Sequence, residues 1–174
     1  MHRLLVVIRH LLAILVLPVV MAVIVPRWLL TRFVVIDSRW SPDSALAGPV
    51  RGLGGVVLVA GILLFSWCVL LFARVGRGTL APWDPTQELV AVGPYRYLRN
   101  PMISGVAAVL AGLALVTGSW VVALWLVTFI AVNSAYFALV EEPGLERRFG
   151  GPYRDYKARV PRWIPRRSSA RDAR

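Results

Sequence analysis

The stretch PMISGVAAVLAGLALVTGSWVVALWLVTFIAVNSAYFALV, residues 101–140, holds forty consecutive residues without a charge. A helix crossing about 30 Å of hydrocarbon takes roughly 20 apolar residues, so this stretch is long enough for two crossings. Its polar, flexible interruption, Thr117, Gly118 and Ser119, falls near the middle and marks a tight hairpin turn. Working outward, LGGVVLVAGILLFSWCVLLFA, residues 53–73, runs 21 residues uncharged and reads as another membrane-crossing helix. The block 11–25 is shorter at 15 residues, carries Pro18, and reaches spanning length by including Arg9 and His10 or residues 4–8. It reads as a further crossing. A secretory signal peptide competes for the N-terminus, but no small-residue cleavage site follows the apolar run, which ends at Pro26, Arg27 and Trp28, an interfacial stop. Residues 26–52 read as a polar connection with Pro42, Pro49 and four Arg, in which WLLTRFVVI, 28–36, suits the membrane surface. The expected fold is an all-α polytopic integral membrane protein of about four transmembrane helices ending in a C-terminal helical hairpin.

Composition agrees. With 57% hydrophobic and 17% charged residues the chain is too apolar for an ordinary soluble domain, and disorder is excluded. Of the formal +11 charge, residues 143–174 supply +7 through ten Lys/Arg against three acids. Cys68 is the sole cysteine, so internal disulfides and Cys/His zinc clusters are excluded and no metal is expected. Cations mark the cytoplasmic side of membrane proteins. Arg74, Arg77, Arg96 and Arg99 precede the hairpin, the tail follows it, and the turn at 117–119 carries none. Four crossings then place loop, tail and both termini in the cytoplasm, by sixteen cations to the four of 26–52, in a cell inner membrane.

The loop before the hairpin and the segment after it flank the same pair of helices, so a cytoplasmic site is expected where their ends meet. In GTLAPWDPTQELVAVGPYRYLRNP, residues 78–101, Pro82, Pro85, Gly93 and Pro94 punctuate the chain ahead of Tyr95, Arg96, Tyr97 and Arg99. Pro101 suits the first position of a helix, with Asn100 placed to cap its free N–H groups, and a capped helix start is also an anion site. Glu141 and Glu142 follow the forty uncharged residues directly. Carboxylates at that depth are costly unless hydrated, paired or bound to a cation. Either they bridge to Arg147 or Arg99, or one of them binds a cation or a ribose diol; composition does not choose.

The ordered block GPYRYLRNPMISG, an uncharged hairpin, then EEPGLERRFGGPYRDYKARVPRWIP resembles the isoprenylcysteine carboxyl methyltransferase and phospholipid methyltransferase superfamily of membrane enzymes. The resemblance covers residues 79–165. It implies S-adenosylmethionine as methyl donor at the cytoplasmic face and a lipophilic or small acceptor. Carried over by position, Gln87, Glu88, Leu89 and Val90 border the cofactor and Tyr95 packs against it. Arg99, Asn100 and Pro101 occupy the family's RHP motif, Met102 and Ile103 come next, and Glu141, with Glu142 beside it, is the cofactor-contacting carboxylate. A sulfonium is already activated, so methyl transfer asks for alignment and exclusion of water, and no dedicated catalytic residue is assigned. Asn100 and Ile103 replace the His and Tyr common in the family; Asn keeps hydrogen-bonding capacity but cannot titrate. Where isoprenylcysteine-carboxylate enzymes carry an Arg one turn before the glutamates, this chain has Phe137, an apolar substrate-side residue that disfavours an anionic acceptor. Two rivals are a sterol-reductase-like enzyme using a nicotinamide cofactor and a non-catalytic lipid-binding protein of the same fold.

The chain divides on this reading into an N-terminal transmembrane region, 1–78, the methyltransferase-like core, 79–165, and a basic tail, 166–174, expected to be disordered and to meet anionic lipid headgroups. Nucleic acid is not an expected partner, since aromatic residues are not interleaved with the tail's cations. Trp28, Trp40, Trp83 and Trp163 read as interfacial anchors. Ala108 and Gly112, four apart, read as a close helix-packing site, and Asn133 and Ser134 as interhelical hydrogen-bonding residues before cavity-lining ones.

Overall fold

The computed structural model describes residues 18–33, 37, 45–75 and 89–163. Among them every regular element is helical. The helices are α1 (Val25–Arg32), α2 (Ala47–Val75), α3 (Pro101–Thr117), α4 (Trp120–Tyr136), α5 (Glu142–Phe149) and α6 (Gly151–Arg159). A π-helical turn, Val20–Ile24, leads into α1, and a second, Phe137–Glu141, joins α4 to α5. The hairpin lies where the uncharged stretch predicts it. Gly118, at φ 69°, ends α3 in the left-handed conformation that a glycine adopts without strain, and Ser119 starts α4 by accepting the Val122 N–H at 3.1 Å.

Two helical runs are long and apolar enough to cross a membrane, Ala47–Leu71 and Trp120–Phe149, while α3 is shorter at 17 residues. Their outer faces leave Leu53, Val56, Val59, Leu63, Leu124, Val127 and Val132 exposed. An apolar face of that extent asks for hydrocarbon as its solvent.

Where α2 and α3 meet, glycines replace side chains. Gly54 lies opposite Gly112 and Gly61 opposite Gly105, so the helices run antiparallel and touch every seven residues. A methyl group at Gly112 would sit 2.5 Å from Leu58 N and 2.6 Å from Gly54 O; one at Gly61 would sit 2.7 Å from Gly105 O. Close approach replaces the hydrophobic effect as the cohesive force between lipid-immersed helices. Gly112 therefore packs as expected, but its companion is Gly105, seven residues back, and Ala108 faces Gly61 between them. Beyond this seam Val106, Leu110 and Phe129 form a core that Met21, Ala22 and Trp125 complete, and Trp125 Nε1 donates to Met21 O at 3.0 Å.

Two expectations need correction. The polar connection assigned to 26–52 contains helix at both ends: α1 passes through Pro26, Arg27 and Trp28, so these do not stop the apolar run, and α2 begins at Ala47. Val25 N–H bonds Val20 O, five residues back, and this wider turn carries the chain up to buried Pro26, which has no N–H to contribute. The last apolar helix runs on through the glutamates to Phe149. Asn133 and Ser134 make no interhelical bond among the described residues; Asn133 Nδ2 donates to Phe129 O and Ser134 Oγ to Ile130 O, each four residues back. The N-terminal crossing before Pro18, Trp40, Trp83 and the tail 166–174 lie outside the described residues. Trp28 is exposed and meets Phe33 edge to face.

At the turn end of the bundle, buried Asp37 accepts from Ser119 Oγ at 2.6 Å and from Val121 N at 3.4 Å. A carboxylate at the start of α4 meets free N–H groups and the positive end of the helix dipole.

Candidate functional site

The opposite end of the bundle gathers the polar chemistry. After α2 the described chain resumes at Leu89. The side chains of residues 89–91 alternate: Leu89 and Ala91 pack on the cluster of Tyr153, Tyr156 and Val160, while Val90 packs with Cys68 and Tyr95. Gly93, at φ 58°, then turns the chain into a short 3-10 helix, Gly93–Arg96, and Asn100 leads into α3. Tyr95 is buried among Cys68, Leu64, Leu71 and Met102. Burial first, then Cys68, and more distantly Tyr156 and Glu141, hold its phenol far above the usual range, so it stays protonated.

Glu142, 5% exposed, is the centre of the cluster. Its Oε1 accepts from Arg99 Nη1 at 2.7 Å and from Arg162 Nη2 at 2.7 Å and Nε at 2.9 Å; its Oε2 lies 3.3 Å from Lys157 Nζ. Lys157 also holds Glu146 at 2.7 Å. Buried carboxylates are tolerable when charge-assisted bonds satisfy their lone pairs, and here three cations do so. They come from the loop before α3, from α6 and from the chain beyond it. Two further bonds fasten the same pieces: Tyr156 Oη donates to Tyr95 O at 2.7 Å, and Arg99 N donates to Pro161 O at 2.9 Å. The loop end and the helix end thus meet, as a hairpin between them requires. Tyr153, buried over Arg99 and Glu142, has its phenol raised by burial first and then by the Glu142 charge, with Arg99 opposing.

Two donors in this cluster are left over. Arg99 Nε and Asn100 Nδ2 are buried and have no hydrogen-bond partner among the described residues. Asn100 does precede α3, but its side chain makes no capping bond, contrary to the expectation for it; its main-chain oxygen instead accepts from Ser104 N and Oγ, both at 3.0 Å. An unpaired buried donor costs about 1–3 kcal/mol, and two on adjacent residues beside an uncapped helix start form a place where an acceptor-bearing ligand is stabilised.

The glutamates divide between the two readings left open for them. Glu142 is bridged to Arg99, whereas Glu141 has no hydrogen bond or ion pair among the described residues. The π turn sets this division. Glu142 N bonds Phe137 O, five residues back, which winds both carboxylates about one residue less far round the helix than α geometry would. Phe137 is buried, with exposed Tyr136 beside it, and the four-residue α-helical spacing assumed between Phe137 and Glu141 is replaced by this wider turn. Of the other predicted residues, Pro101 is fully buried at the head of α3, Met102 packs toward Tyr95 and Ile103 toward Val106; Gln87 and Glu88 lie outside the described residues. Lys157, Arg162 and Tyr153 enter the site without having been singled out. Their only signal was the run GPYRDYKARVPR, which the resemblance aligned without assigning roles.

A lipid-facing helical bundle that gathers a cluster of cations and two spare donors at one end has the character of a membrane protein. The chain belongs to the phospholipid methyltransferase family, whose model matches residues 50–151, from the head of α2 to the start of α6. Family membership bears out the resemblance read from the sequence and makes the protein a methyltransferase of the membrane. No curated protein and no solved structure matches the chain.

Proposed function

We propose that the protein transfers a methyl group from S-adenosylmethionine to a neutral lipophilic or small acceptor, at the cytoplasmic face of a cell inner membrane. The observation that carries this reading is the pair of buried donors without a partner among the described residues, Arg99 Nε and Asn100 Nδ2, within the family-matched span. The donor set fits the cofactor. Its carboxylate and ribose diol call for donors, which Arg99, Asn100 and the start of α3 offer, and its cationic groups call for an acceptor, which Glu141 offers. S-adenosylmethionine, when bound, supplies a methyl group on an activated sulfonium. The chain's own contribution is to hold and to exclude. Arg99 is fixed through Nη1 by Glu142, which leaves Nε free to donate. Tyr153 and Tyr156 stay protonated and roof the cluster against water. Phe137, buried one turn before the glutamates, disfavours an anionic acceptor because the desolvation of a carboxylate there would go uncompensated. Four crossings with both termini cytoplasmic accord with the sixteen-to-four cation bias.

The test is calorimetric titration with S-adenosylhomocysteine. Micromolar binding that Asn100→Ala weakens about tenfold supports the reading, since the lost donor is worth about 1–1.5 kcal/mol. Binding of a nicotinamide cofactor in its place would overturn it in favour of a reductase, and no binding of either would return the chain to a lipid-binding role.

A further inference from the structure

Beyond α6 the chain doubles back across the cluster. Val160 packs on Tyr153 and Tyr156, Pro161 O accepts the Arg99 N–H, and Arg162 clasps Glu142 with two nitrogens. Pro161 and Arg162 thus hold Arg99 through its amide and through the carboxylate it shares, and its neighbour Asn100 carries the second spare donor. Three cations, Arg99, Lys157 and Arg162, face two paired carboxylates, Glu142 and Glu146. Removing Arg162 leaves Arg99 on Oε1 and Lys157 on Oε2, so Glu142 keeps a charge-assisted bond on each oxygen and no buried charge is orphaned. Arg162 is also the cation of the three that the fold holds least. Arg99 sits in the loop packed between α2 and α6, and Lys157 lies within α6, whereas Arg162 follows the last helical turn.

We propose that residues 161–163 are a strap over the cluster that holds the spare donors and that the Arg162–Glu142 pair is its latch, opening to admit and release the cofactor and closing over it. This rests on the reading of that cluster as the cofactor's site. Opening breaks one ion pair and the Pro161 bond while Tyr153 and Tyr156 keep α6 docked, so the motion is local to the strap. Val160 stays packed on α6, the ion pair is the contact that salt screens, and Arg162 is partly exposed, so salt promotes opening.

Hydrogen exchange of the full-length protein in nanodiscs, read at the Arg99 amide, tests the strap directly, because that N–H is bonded to Pro161 O. Arg162→Gln is expected to speed its exchange about tenfold or more, the effect of a lost charge-assisted bond, with Arg162→Lys between the two and the amides of α3 and α4 unchanged. Should Arg162→Gln disturb α3 and α4, the unmodified protein carries the test: exchange at Arg99 should quicken severalfold between about 0.05 and 0.5 M salt while α3 and α4 stay protected. An Arg99 amide indifferent to both Arg162→Gln and salt overturns the strap. S-adenosylhomocysteine should slow the same amide in the unmodified protein. Acceleration by Arg162→Gln with no slowing by S-adenosylhomocysteine would keep the strap and overturn the cofactor assignment.

Discussion

Replacing Gly112 by alanine puts a methyl group 2.5 Å from Leu58 N, 2.6 Å from Gly54 O and 2.7 Å from Leu58 Cα. Ordinary contact begins near 3.4 Å, so the methyl is about 0.9 Å too close to main-chain atoms that have no rotamer by which to yield. The helices must part, and the neighbouring seam at Gly61 and Gly105 parts with them. Overpacking of this kind costs about 1–3 kcal/mol, and removing a helical glycine returns about 0.5–1 kcal/mol. The net expectation for Gly112→Ala is a destabilisation of about 1–2 kcal/mol. Gly52, on the opposite face of the same α2, has nothing among the described residues within 4 Å of its added methyl. Gly52→Ala should then be neutral or stabilising by up to about 1 kcal/mol. Reversible unfolding of the detergent-solubilised protein, followed by circular dichroism through an SDS titration, compares the two. Substitutions of equal effect, or a stable Gly112→Ala, would refute the idea that backbone approach holds α2 to α3.

Glu142→Gln leaves three cations around a neutral amide and is expected to destabilise the fold by about 3 kcal/mol, measurable in the same titration; a loss below about 1 kcal/mol would mean that the cations repair themselves with water. Ser119→Ala removes the α4 cap and the donor to Asp37, with an expected cost of about 1–2 kcal/mol and early exchange at the Val122 amide. Lys157 is held above its ordinary pKa of 10.5, by Glu146 first. A raised value stabilises the fold below the unfolded pKa and ceases to as pH rises through the folded one, so stability should show no Lys157-dependent step near neutrality and lose this contribution only above about pH 10.5, a difference that Lys157→Gln erases. Cysteines introduced at Gly78 and Ser168, in a Cys68→Ala background, should label from the same side of sealed vesicles; opposite sides would end the four-crossing topology.

How far the sequence could be read depends on where each residue's partner lies. The hairpin was legible because its signal is local: apolar residues on both sides of Thr117, Gly118 and Ser119. The α2 helix was legible for the same reason, although its start at Ala47 was hidden by Pro49 and Arg51, which a first turn tolerates. The seam was half legible. Gly112 announced itself, but Gly54 and Gly61 matter only because of a neighbouring helix some fifty residues on, and no spacing within α2 points there. Asp37 and Ser119 meet across 82 residues, and Arg99 and Glu142 across 43, so chain order alone could offer Arg99 only as one of two partners for the glutamates. The π turn at Phe137–Glu141 was not legible at all, since an i to i+5 bond is selected by packing on both sides of it and has no composition of its own. Its consequence is the division between Glu142, bound to three cations, and Glu141, which has no ion pair among the described residues.

That the protein is a methyltransferase using S-adenosylmethionine is tested most directly by incubating the purified protein, in vesicles of its host's extracted lipids, with methyl-labelled S-adenosylmethionine. The expected result is label in the organic phase, appearing in proportion to protein, abolished by excess S-adenosylhomocysteine and reduced about tenfold or more in Asn100→Ala. No label in lipid or small-molecule fractions, from a protein whose α3 and α4 amides show the bundle intact, would contradict it.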